Sequence, residues 1–297
     1  MSLHDIVRTL GGELYSSGRR ASIPAPGHSP FDRSVSLLET EGRVIIHSFG
    51  EATWQAVRAD LERRGLIDSR GAPTSGITLD RSPEAPSPTQ LERVARARAL
   101  WDEAAPIRPA TPASRHIRRR AITTAPLTLP SLRSHPQAPL TAYRPCKVAR
   151  PALLAAIRAP GGHLTAVEVT YLTHGGSRAS DMRLSRKTIG AVPAGSAVRL
   201  IPIGPSMVVG EGVFTTLSAI EHFGLPGWAL LSASNMRRWS PPEGVSLVLI
   251  AADRGIAGEA AAAALRQRLE EREVAAVVKF PPEPFGDWNE AAQASRR

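Results

Sequence analysis

The sequence predicts an α/β unit, with a parallel sheet flanked by helices, preceded by a smaller α+β unit. Two apolar runs rich in β-branched residues, 207–209 and 245–252, are separated by a helical pattern at 213–223. A third such run, 274–278, follows another helical pattern. Apolar runs that alternate with helices are typical of buried parallel strands. The length of 297 residues and a hydrophobic content of 42% allow about two domains with a sizeable core.

Composition limits the partners and sites that are possible. The formal net charge of +10 favours an anionic partner, nucleic acid first, although a genome-wide preference for Arg is an alternative explanation. Cys146 is the only cysteine, which excludes an intramolecular disulfide and a zinc site of several thiolates. No apolar run approaches the roughly 20 residues of a membrane span and no signal peptide is evident, so a cytoplasmic protein without membrane contact is expected.

Residues 1–68 predict the small α+β unit. Two apolar runs separated by Glu41-Gly42 indicate a β-hairpin, with Gly42 in its turn. A helix with Thr53 as its N-cap should follow this hairpin, and a short helix at 3–10 should precede it.

The middle of the chain predicts less regular structure. Residues 69–140 are rich in Pro and Arg and predict a linker that contains one Arg-rich helix. Residues 141–204 predict a basic, strand-rich region with a hairpin around Gly161-Gly162. The α/β unit then occupies residues 205–297.

An acid follows each of the three predicted parallel strands. Glu211, between two glycines, ends the first apolar run, Asp253 follows the second, and Asp287 lies beyond the third. Because the carboxyl ends of parallel strands meet at one edge of a sheet, Glu211 and Asp253 should converge. Oxygen ligands suit Mg²⁺, so the sequence predicts a magnesium site at this edge. Acids that only cap the neighbouring elements are the alternative.

Residues 207–292 resemble the Toprim domain that primases, topoisomerases and some nucleases share, most closely the version in phage- and plasmid-type primases. The motifs that carry the resemblance are Glu211-Gly212, Asp253 at the end of the second strand, and Gly286-Asp287-Trp288-Asn289. The resemblance implies that Glu211 is the general acid/base and that Asp253 is a metal ligand, with Asp287 assisting. It also implies Mg²⁺ or Mn²⁺ as the cofactor.

One position departs from the family pattern. The second Asp of the family's Asp-x-Asp pair is Gly255 in this chain. Two-metal phosphoryl transfer needs carboxylates for both ions, so this loss weakens the prediction of full polymerase activity. Asp253, Asp287 and Glu290 would still offer oxygen ligands for one ion. Glu259 is a candidate substitute, although an acid in the first turn of a helix also complements the helix dipole.

The N-terminal unit carries a second resemblance, since residues 26–37 and 47–52 are similar to the zinc-binding domain of bacterial and phage primases. The positions that match that family's zinc ligands are Ala25, His28, Ser48, and Glu51 or Ala52. Because Ala and Ser cannot replace thiolates, we expect a zinc-finger-like fold without zinc, with His28 in a structural or surface role. Residues 99–118 are similar to the segment between the two modules in such proteins.

Several basic residues are candidates for binding nucleic acid or nucleotide phosphates, because some of them interleave with apolar residues. The candidates are Arg183, Arg186, Lys187, Arg237 and Arg238, with Arg178 in the same stretch as the first three. A solvated face is the alternative. Trp239 either stacks on a base or is buried in the core.

Together these features predict a primase-like protein of DNA replication in a mobile element, which joins nucleoside triphosphates on single-stranded DNA. No Gly-x-x-x-x-Gly-Lys phosphate loop is present, so a separate replicative helicase is the expected further partner. Two other classes stay open. One is a DNA-binding accessory protein that has lost catalysis, favoured by the missing zinc ligands and Gly255. The other is a Toprim nuclease that uses water as the nucleophile.

Overall fold

The computed structural model describes residues 3–15, 18–28, 32–49, 52–74, 88–125, 128–143, 146–182 and 184–296. The chain divides into two compact units, Met1–Ser87 and Pro88–Arg297. None of the described helices is both long and apolar enough to cross a membrane.

The first unit is a four-stranded antiparallel sheet with two helices. Its elements are α1 (Leu3–Leu10), β1 (Glu13–Tyr15), β2 (Arg20–Ile23), β3 (Val35–Thr40), β4 (Arg43–Ser48) and α2 (Trp54–Arg63). The strands pair in sequence order, and Glu41 and Gly42 turn the predicted hairpin with φ of 48° and 71°. The Thr53 side chain accepts a hydrogen bond from the Ala56 N–H, as expected of an N-cap. The predicted α+β unit is thus present.

A carboxylate organises the segment in which the resemblance would place the first metal ligands. Asp32 accepts hydrogen bonds from the Ala25 N–H (2.9 Å), the Ser34 N–H (3.1 Å) and the Ser34 hydroxyl (2.6 Å). His28 Nδ1 lies 3.4 Å from the same carboxylate. These hydrogen bonds, the Ser34 hydroxyl first, lower the pKa of Asp32 to about 2. Asp32 therefore joins the two ends of this turn; Glu51 lies outside the described residues.

We expect Asp32→Asn to loosen this turn, because the amide replaces one accepting oxygen with a donor. The loss should be about 1–2 kcal/mol of local stability. The folded-state pKa lies below the ordinary 3.8, so the carboxylate stabilises the fold above pH 4, and this contribution disappears as the pH falls towards 2. Hydrogen exchange of residues 20–37 measures the effect, with Glu39→Gln as the control. Unchanged exchange in Asp32→Asn would contradict the assignment.

The second unit begins with an antiparallel sheet. Its elements are α3 (Gln90–Glu103), β5 (Ala105–Pro106), α4 (Pro112–Arg119), β6 (Leu132–Pro139), β7 (Ala149–Arg158), β8 (Leu164–Tyr171) and β9 (Arg186–Gly190). The strands pair in sequence order, and β7 and β8 form the hairpin predicted around Gly161-Gly162. Helix α3 packs against β8 and β9, and α4 packs against β6 and β7.

The structure differs from the linker with one helix that the sequence predicts over residues 69–140. Helix α4 has only Ala113 and Ile117 as buried apolar residues among basic ones, so its hydrophobic period is short. Strand β6 contains Pro136 and a register shift between His135 and Ala138, which conceals a strand in the sequence. Both elements are held by tertiary packing rather than by a strong local pattern.

A mostly parallel sheet completes the second unit. Its elements are β10 (Val198–Arg199), β11 (Ser206–Gly210), α5 (Val213–Phe223), β12 (Gly227–Ala229), α6 (Ala233–Met236), β13 (Leu247–Ala251), α7 (Ile256–Glu270), β14 (Ala275–Lys279) and α8 (Trp288–Ala294). The strand order is β10-β12-β11-β13-β14, and only β10 is antiparallel to its neighbour. The predicted α/β unit with a parallel sheet is confirmed.

Each face of the parallel sheet is covered by helices. Leu217 of α5 and Trp288 of α8 pack with Leu249 on one face, and Leu265 of α7 packs with Ile250 on the other. The first face belongs to the same apolar cluster as residues of α4, β6, β7 and β8. The two sheets of the second unit therefore share one core, which fixes the edge of the parallel sheet against the antiparallel sheet.

Candidate active site

Glu211 and Asp253 lie at the same edge of the parallel sheet, as the sequence predicts. Strands β11 and β13 are adjacent and parallel, with Gly210 opposite Ala251. Glu211 is the residue after β11, and Asp253 follows β13 by two residues. The geometry of parallel pairing thus brings both carboxylates to one place, although they are 42 residues apart in the sequence.

A cleft of about 530 Å³ opens at this edge, between the parallel sheet and the antiparallel sheet. Carboxylates and cationic side chains both line it. The carboxylates are Glu168, Glu211, Asp253 and Asp287, and the cations are Arg119, Arg120, Arg178 and Arg186. Three of these acids come from the parallel sheet and its loops, whereas all four arginines come from α4, β9 and the loop before β9. The cleft therefore has an acidic wall and a basic wall.

Asp253 is the most strongly perturbed acid of the cleft. Burial first, and then the negative charges of Asp287, Glu211 and Glu290, raise its pKa to about 7. Its Oδ1 atom is buried and has no hydrogen-bond partner among the described residues. A Cβ on Gly258, in the first turn of α7, would lie 2.6 Å from the Asp253 carbonyl oxygen, so the helix sits directly against this strand end. Asp253 thus has one buried oxygen without a hydrogen-bond partner among the described residues, and three neighbouring acids oppose its ionisation.

The basic wall is centred on Arg120, at the C-terminal end of α4. Burial lowers the pKa of Arg120, while the carboxylate of Asp287 opposes this effect. Its guanidinium lies over the Phe214 ring, 5.1 Å from the centroid, and its Nε has no hydrogen-bond partner among the described residues. Arg186 Nε lies 4.0 Å from the carboxylate of Glu168. Guanidinium groups held in this way present donors to an anion.

Family comparison connects this geometry to a known domain. Residues 206–297 match the family model described as a Toprim domain. Residues 206–297 form a Toprim domain. Residues 91–200 match a second model, described as a domain of unknown function (DUF7146). None of the curated proteins matches the chain at a significant level.

Among solved structures, the chain is similar to several primases at low identity, among them those of bacteriophage T7, Aquifex aeolicus and E. coli. The primase fragment of the bacteriophage T7 primase-helicase is 19% identical, covering 50% of this chain and 62% of its own length, with a TM-score of 0.38. The Aquifex aeolicus primase, with zinc-binding and RNA polymerase domains, is 14% identical, covering 100% and 82%, with a TM-score of 0.45. The E. coli primase catalytic core is 11% identical, covering 70% and 75%, with a TM-score of 0.46.

The acidic wall of the Toprim domain fits a divalent cation. An unsatisfied buried oxygen on Asp253, beside three other acids, is an arrangement that a bound cation would stabilise. The described residues contain no group of three or more His, Cys, Asp or Glu side chains that would hold a metal by themselves. Mg²⁺ does not need such a group, because it retains several waters and binds one or two carboxylates together with substrate phosphates.

Asp287 also has a structural task in the Toprim domain. As the N-cap of α8, it accepts hydrogen bonds from the Asn289 N–H (2.7 Å) and the Glu290 N–H (2.8 Å). Buried Asn289 donates from Nδ2 to the Arg120 carbonyl oxygen (2.6 Å) and to the Ser218 hydroxyl (2.9 Å). The Gly-Asp-Trp-Asn motif thus fastens α8 to α4 and α5, which sets the distance between the two walls.

The two roles of Asp287 can be separated by two substitutions. Asp287→Asn keeps an accepting oxygen for the cap but removes the charge, so stability should change by less than about 0.5 kcal/mol. Asp287→Ala removes the cap as well and should cost about 1 kcal/mol. If Asp287 assists metal binding, both variants should have weaker Mg²⁺ binding by calorimetry. Wild-type Mg²⁺ affinity in Asp287→Asn would show that Asp287 is only a cap.

Gly255, at the position of the missing acid, is the N-cap residue of α7, and Glu259 lies in the first turn of the same helix. Gly255 has φ of 107°, a conformation that L-residues rarely adopt. The Glu259 carboxylate accepts a hydrogen bond from the Gly255 N–H at 3.1 Å and is not among the residues that line the cleft. Glu259 therefore caps the first turn of α7 and does not occupy the position of a substitute ligand.

We expect Gly255→Asp to fail as a restoration of the acidic pair. A side chain at this φ should cost about 1–3 kcal/mol. Gly255→Ala carries the same strain without the carboxylate and is the matched control. Urea unfolding and Mg²⁺ calorimetry should show both variants destabilised to a similar extent, with no gain in Mg²⁺ affinity for Gly255→Asp. A higher Mg²⁺ affinity in Gly255→Asp, without the same gain in Gly255→Ala, would contradict this expectation.

The basic residues predicted from the sequence lie in different environments, and only some of them line the cleft. Arg186 lines the cleft. Lys187, its neighbour, faces the other side of β9, where it donates to the Leu140 carbonyl oxygen and lies 5.0 Å from the Tyr171 ring centroid. Arg237 and Arg238 are exposed and do not line the cleft. Arg183 lies outside the described residues. Trp239 is 1% exposed and belongs to the core.

The cleft also contains residues that the sequence did not indicate as site residues, among them Glu168 and three residues of one helix. Those three are His116, Arg119 and Arg120, all on α4 or at its end. The run Arg118-Arg119-Arg120 is visible in the sequence, but a Pro-rich segment gives no sign that it packs beside the Toprim domain. Arg178, which the sequence marks only as basic, also lines the cleft.

Proposed function

We propose that the protein is a primase-type nucleotidyltransferase that makes RNA primers on single-stranded DNA with Mg²⁺ or Mn²⁺. The observation that carries this proposal is the cleft with an acidic wall and a basic wall, since phosphoryl transfer between nucleotides needs both. Carboxylates serve the reacting centre, and arginines hold the phosphates of the template and the incoming triphosphate. The net charge of +10 is consistent with a nucleic-acid partner.

Each residue has a defined role in this reaction. Glu211 accepts the proton of the attacking 3′-hydroxyl, whose oxygen forms a bond to the α-phosphorus as pyrophosphate leaves. Arg120, Arg178 and Arg186 orient the phosphate groups through charge-assisted hydrogen bonds. Asp253, with Asp287 assisting, would hold a divalent cation, which would neutralise charge on the triphosphate.

The test is primer synthesis by the purified full chain. The protein is incubated with single-stranded DNA, labelled ribonucleoside triphosphates and Mg²⁺ or Mn²⁺, beside a Glu211→Gln variant. Short RNA products that depend on wild-type protein and on the metal support the proposal. A shortened template without RNA products would indicate a nuclease that uses the same acids with water as the nucleophile.

A second candidate is a DNA-binding accessory protein without catalysis. Gly255 favours it, because the second Asp of the pair is absent and the backbone at this position disfavours a side chain. Tight, salt-sensitive binding of single-stranded DNA with no RNA product in either metal would support this candidate.

As the setting for the primase, we propose the cytoplasmic replication of a mobile element, beside a separate helicase. Co-purification with a helicase from the same element tests that part.

A further inference from the structure

The loop 173–178 carries Arg178 into the cleft, and α4 holds this loop by its backbone. Side chains of α4 donate hydrogen bonds to three successive carbonyl oxygens of the loop. The pairs are Arg115 Nη1 to His174 O (2.8 Å), Arg119 Nε to Gly175 O (3.3 Å) and His116 Nδ1 to Gly176 O (2.9 Å). The loop thus has a defined position on α4.

Gly176 shows how closely the loop lies against the helix. Its φ is 84°, and a Cβ at this position would lie 2.5 Å from Arg115 Cβ and 2.9 Å from the Pro112 carbonyl oxygen. No side chain would fit between the two backbones. The loop and α4 therefore form one packed unit, in which a shift of the loop requires the hydrogen bonds to break.

The three contacts are not equivalent. The hydrogen bonds from Arg115 and Arg119 are exposed, where water competes and the net contribution is small. His116 is 6% exposed, and its ring packs edge-on against Phe214 with the centroids 5.2 Å apart. Burial lowers the pKa of His116 to about 4, so the ring is neutral at physiological pH. Since Gly176 O can only accept, the single ring proton is on Nδ1.

Like charges surround the position that the loop occupies. The charges of Arg178 and of Arg186 each contribute to lowering the pKa of Arg120, after the larger effect of burial. Arg178 is exposed, so the backbone of the loop, together with the antiparallel bridge of Arg178 to Leu172, sets where its guanidinium can lie. A neutral imidazole holds the loop without adding a further positive charge. The result is a cation that is fixed in place before an anion arrives.

We propose that His116 is a positioning residue that holds Arg178 in the cleft, through the loop 173–178, to bind a phosphate group. The phosphate belongs either to the DNA backbone or to a nucleoside triphosphate. The inference rests on the proposed function only in that the cleft binds phosphates, and it does not require catalysis.

The experiment compares four variants of the full chain. His116→Phe retains a buried ring but removes the donor to Gly176, whereas His116→Asn loses the ring but places an amide N–H near the position of Nδ1. Arg178→Gln removes the cation, and the fourth variant combines His116→Phe with Arg178→Gln. Binding of oligothymidylate and of inorganic triphosphate is measured as a function of salt. Hydrogen exchange of residues 173–178 reports whether the loop is released.

If His116 acts through Arg178, both single variants His116→Phe and Arg178→Gln should weaken binding about tenfold. The double variant should lose no more than either single one, and His116→Asn should remain within about twofold of the wild type. The slope of log affinity against log salt should fall by about 1 in the weakened variants. Loop exchange should accelerate in His116→Phe but not in Arg178→Gln. If only one of the two probes, oligothymidylate or inorganic triphosphate, binds more weakly, the proposal is still supported. The affected probe then shows whether the phosphate belongs to the DNA backbone or to a nucleoside triphosphate.

Two results would overturn the proposal. One is a loss of about a hundredfold in the double variant, since additive effects mean that His116 acts independently of Arg178. The other is wild-type binding in His116→Phe or in Arg178→Gln. If wild-type protein makes no primers but this binding pattern holds, the proposed catalysis fails while the role of His116 stands.

Discussion

We expect the Asp253→Asn variant to lose metal-dependent activity and, without divalent cations, to be more stable than the wild-type protein. Asp253 is the acid whose buried oxygen has no partner among the described residues, and it stands beside Asp287, Glu211 and Glu290. Loss of this proposed ligand should reduce the rate of primer synthesis by more than about 100-fold, because even residues that only hydrogen-bond to the ligands of a metal are worth about 10–100-fold.

The gain in stability follows from the pKa of Asp253. The folded-state pKa of about 7 lies above the ordinary 3.8, so the folded protein binds this proton more tightly than the unfolded chain does. The stability of the metal-free wild type therefore falls as the pH rises from about 4 to 7. Each unit of pKa shift corresponds to about 1.4 kcal/mol of stability, and partial exposure of the Asp253 side chain reduces this value. We therefore expect the free energy of unfolding of Asp253→Asn to exceed that of the wild type by about 2 kcal/mol at pH 8.

Urea unfolding in a chelator, at pH 5 and at pH 8, measures this difference. The variant should exceed the wild type clearly at pH 8 and by much less at pH 5, where the wild-type carboxyl is already protonated. Added Mg²⁺ should stabilise only the wild type. A variant that is less stable than the wild type at pH 8 would show that Asp253 is held by favourable contacts instead.

We also expect Glu211→Gln to abolish most of the catalytic rate while nucleic-acid binding is retained. Gln has nearly the same shape as Glu but cannot accept the proton of the attacking hydroxyl. General-base catalysis typically contributes about 10²–10⁴-fold, and the loss should fall in this range. The effect should appear in the rate of product formation at saturating substrate, since the basic wall, which we propose binds the phosphates, is unchanged.

The control for this variant is Glu243→Gln, an exposed carboxylate of the same domain that does not line the cleft. It should synthesise primers at the wild-type rate. Salt-dependent binding of single-stranded DNA should be the same for all three proteins. A Glu211→Gln variant with full activity would remove Glu211 from the reaction and leave Asp253 as the acid to examine.

The acidic wall could be predicted from the sequence because it depends on local patterns and one rule of topology. Apolar runs mark β11 and β13, and parallel pairing places the residues after them, Glu211 and Asp253, at one edge. No information from other parts of the chain is needed for that prediction. The backbone conformation of Gly255 was not predictable, since the sequence shows only that the acid is absent.

The basic wall depends on packing between distant segments, and the sequence predicts it poorly. Arg186 and Lys187 are adjacent in β9, so their side chains point to opposite faces of the sheet, and only one of them can line the cleft. The sequence alone does not show which face is the correct one. Arg120 lies at the end of a short helix whose position is set by the core that the two sheets share.

The hydrogen bond between Asn289 and Arg120 has a consequence for how the site assembles during synthesis. It joins residues 169 positions apart, and loop closure over such a distance is slow compared with the formation of local structure. On the ribosome, residues 88–190, which include the basic wall, emerge before the last strand and α8 exist. The nascent chain therefore presents its arginines before its acids can join them, and the cleft is completed only after α8 has been synthesised.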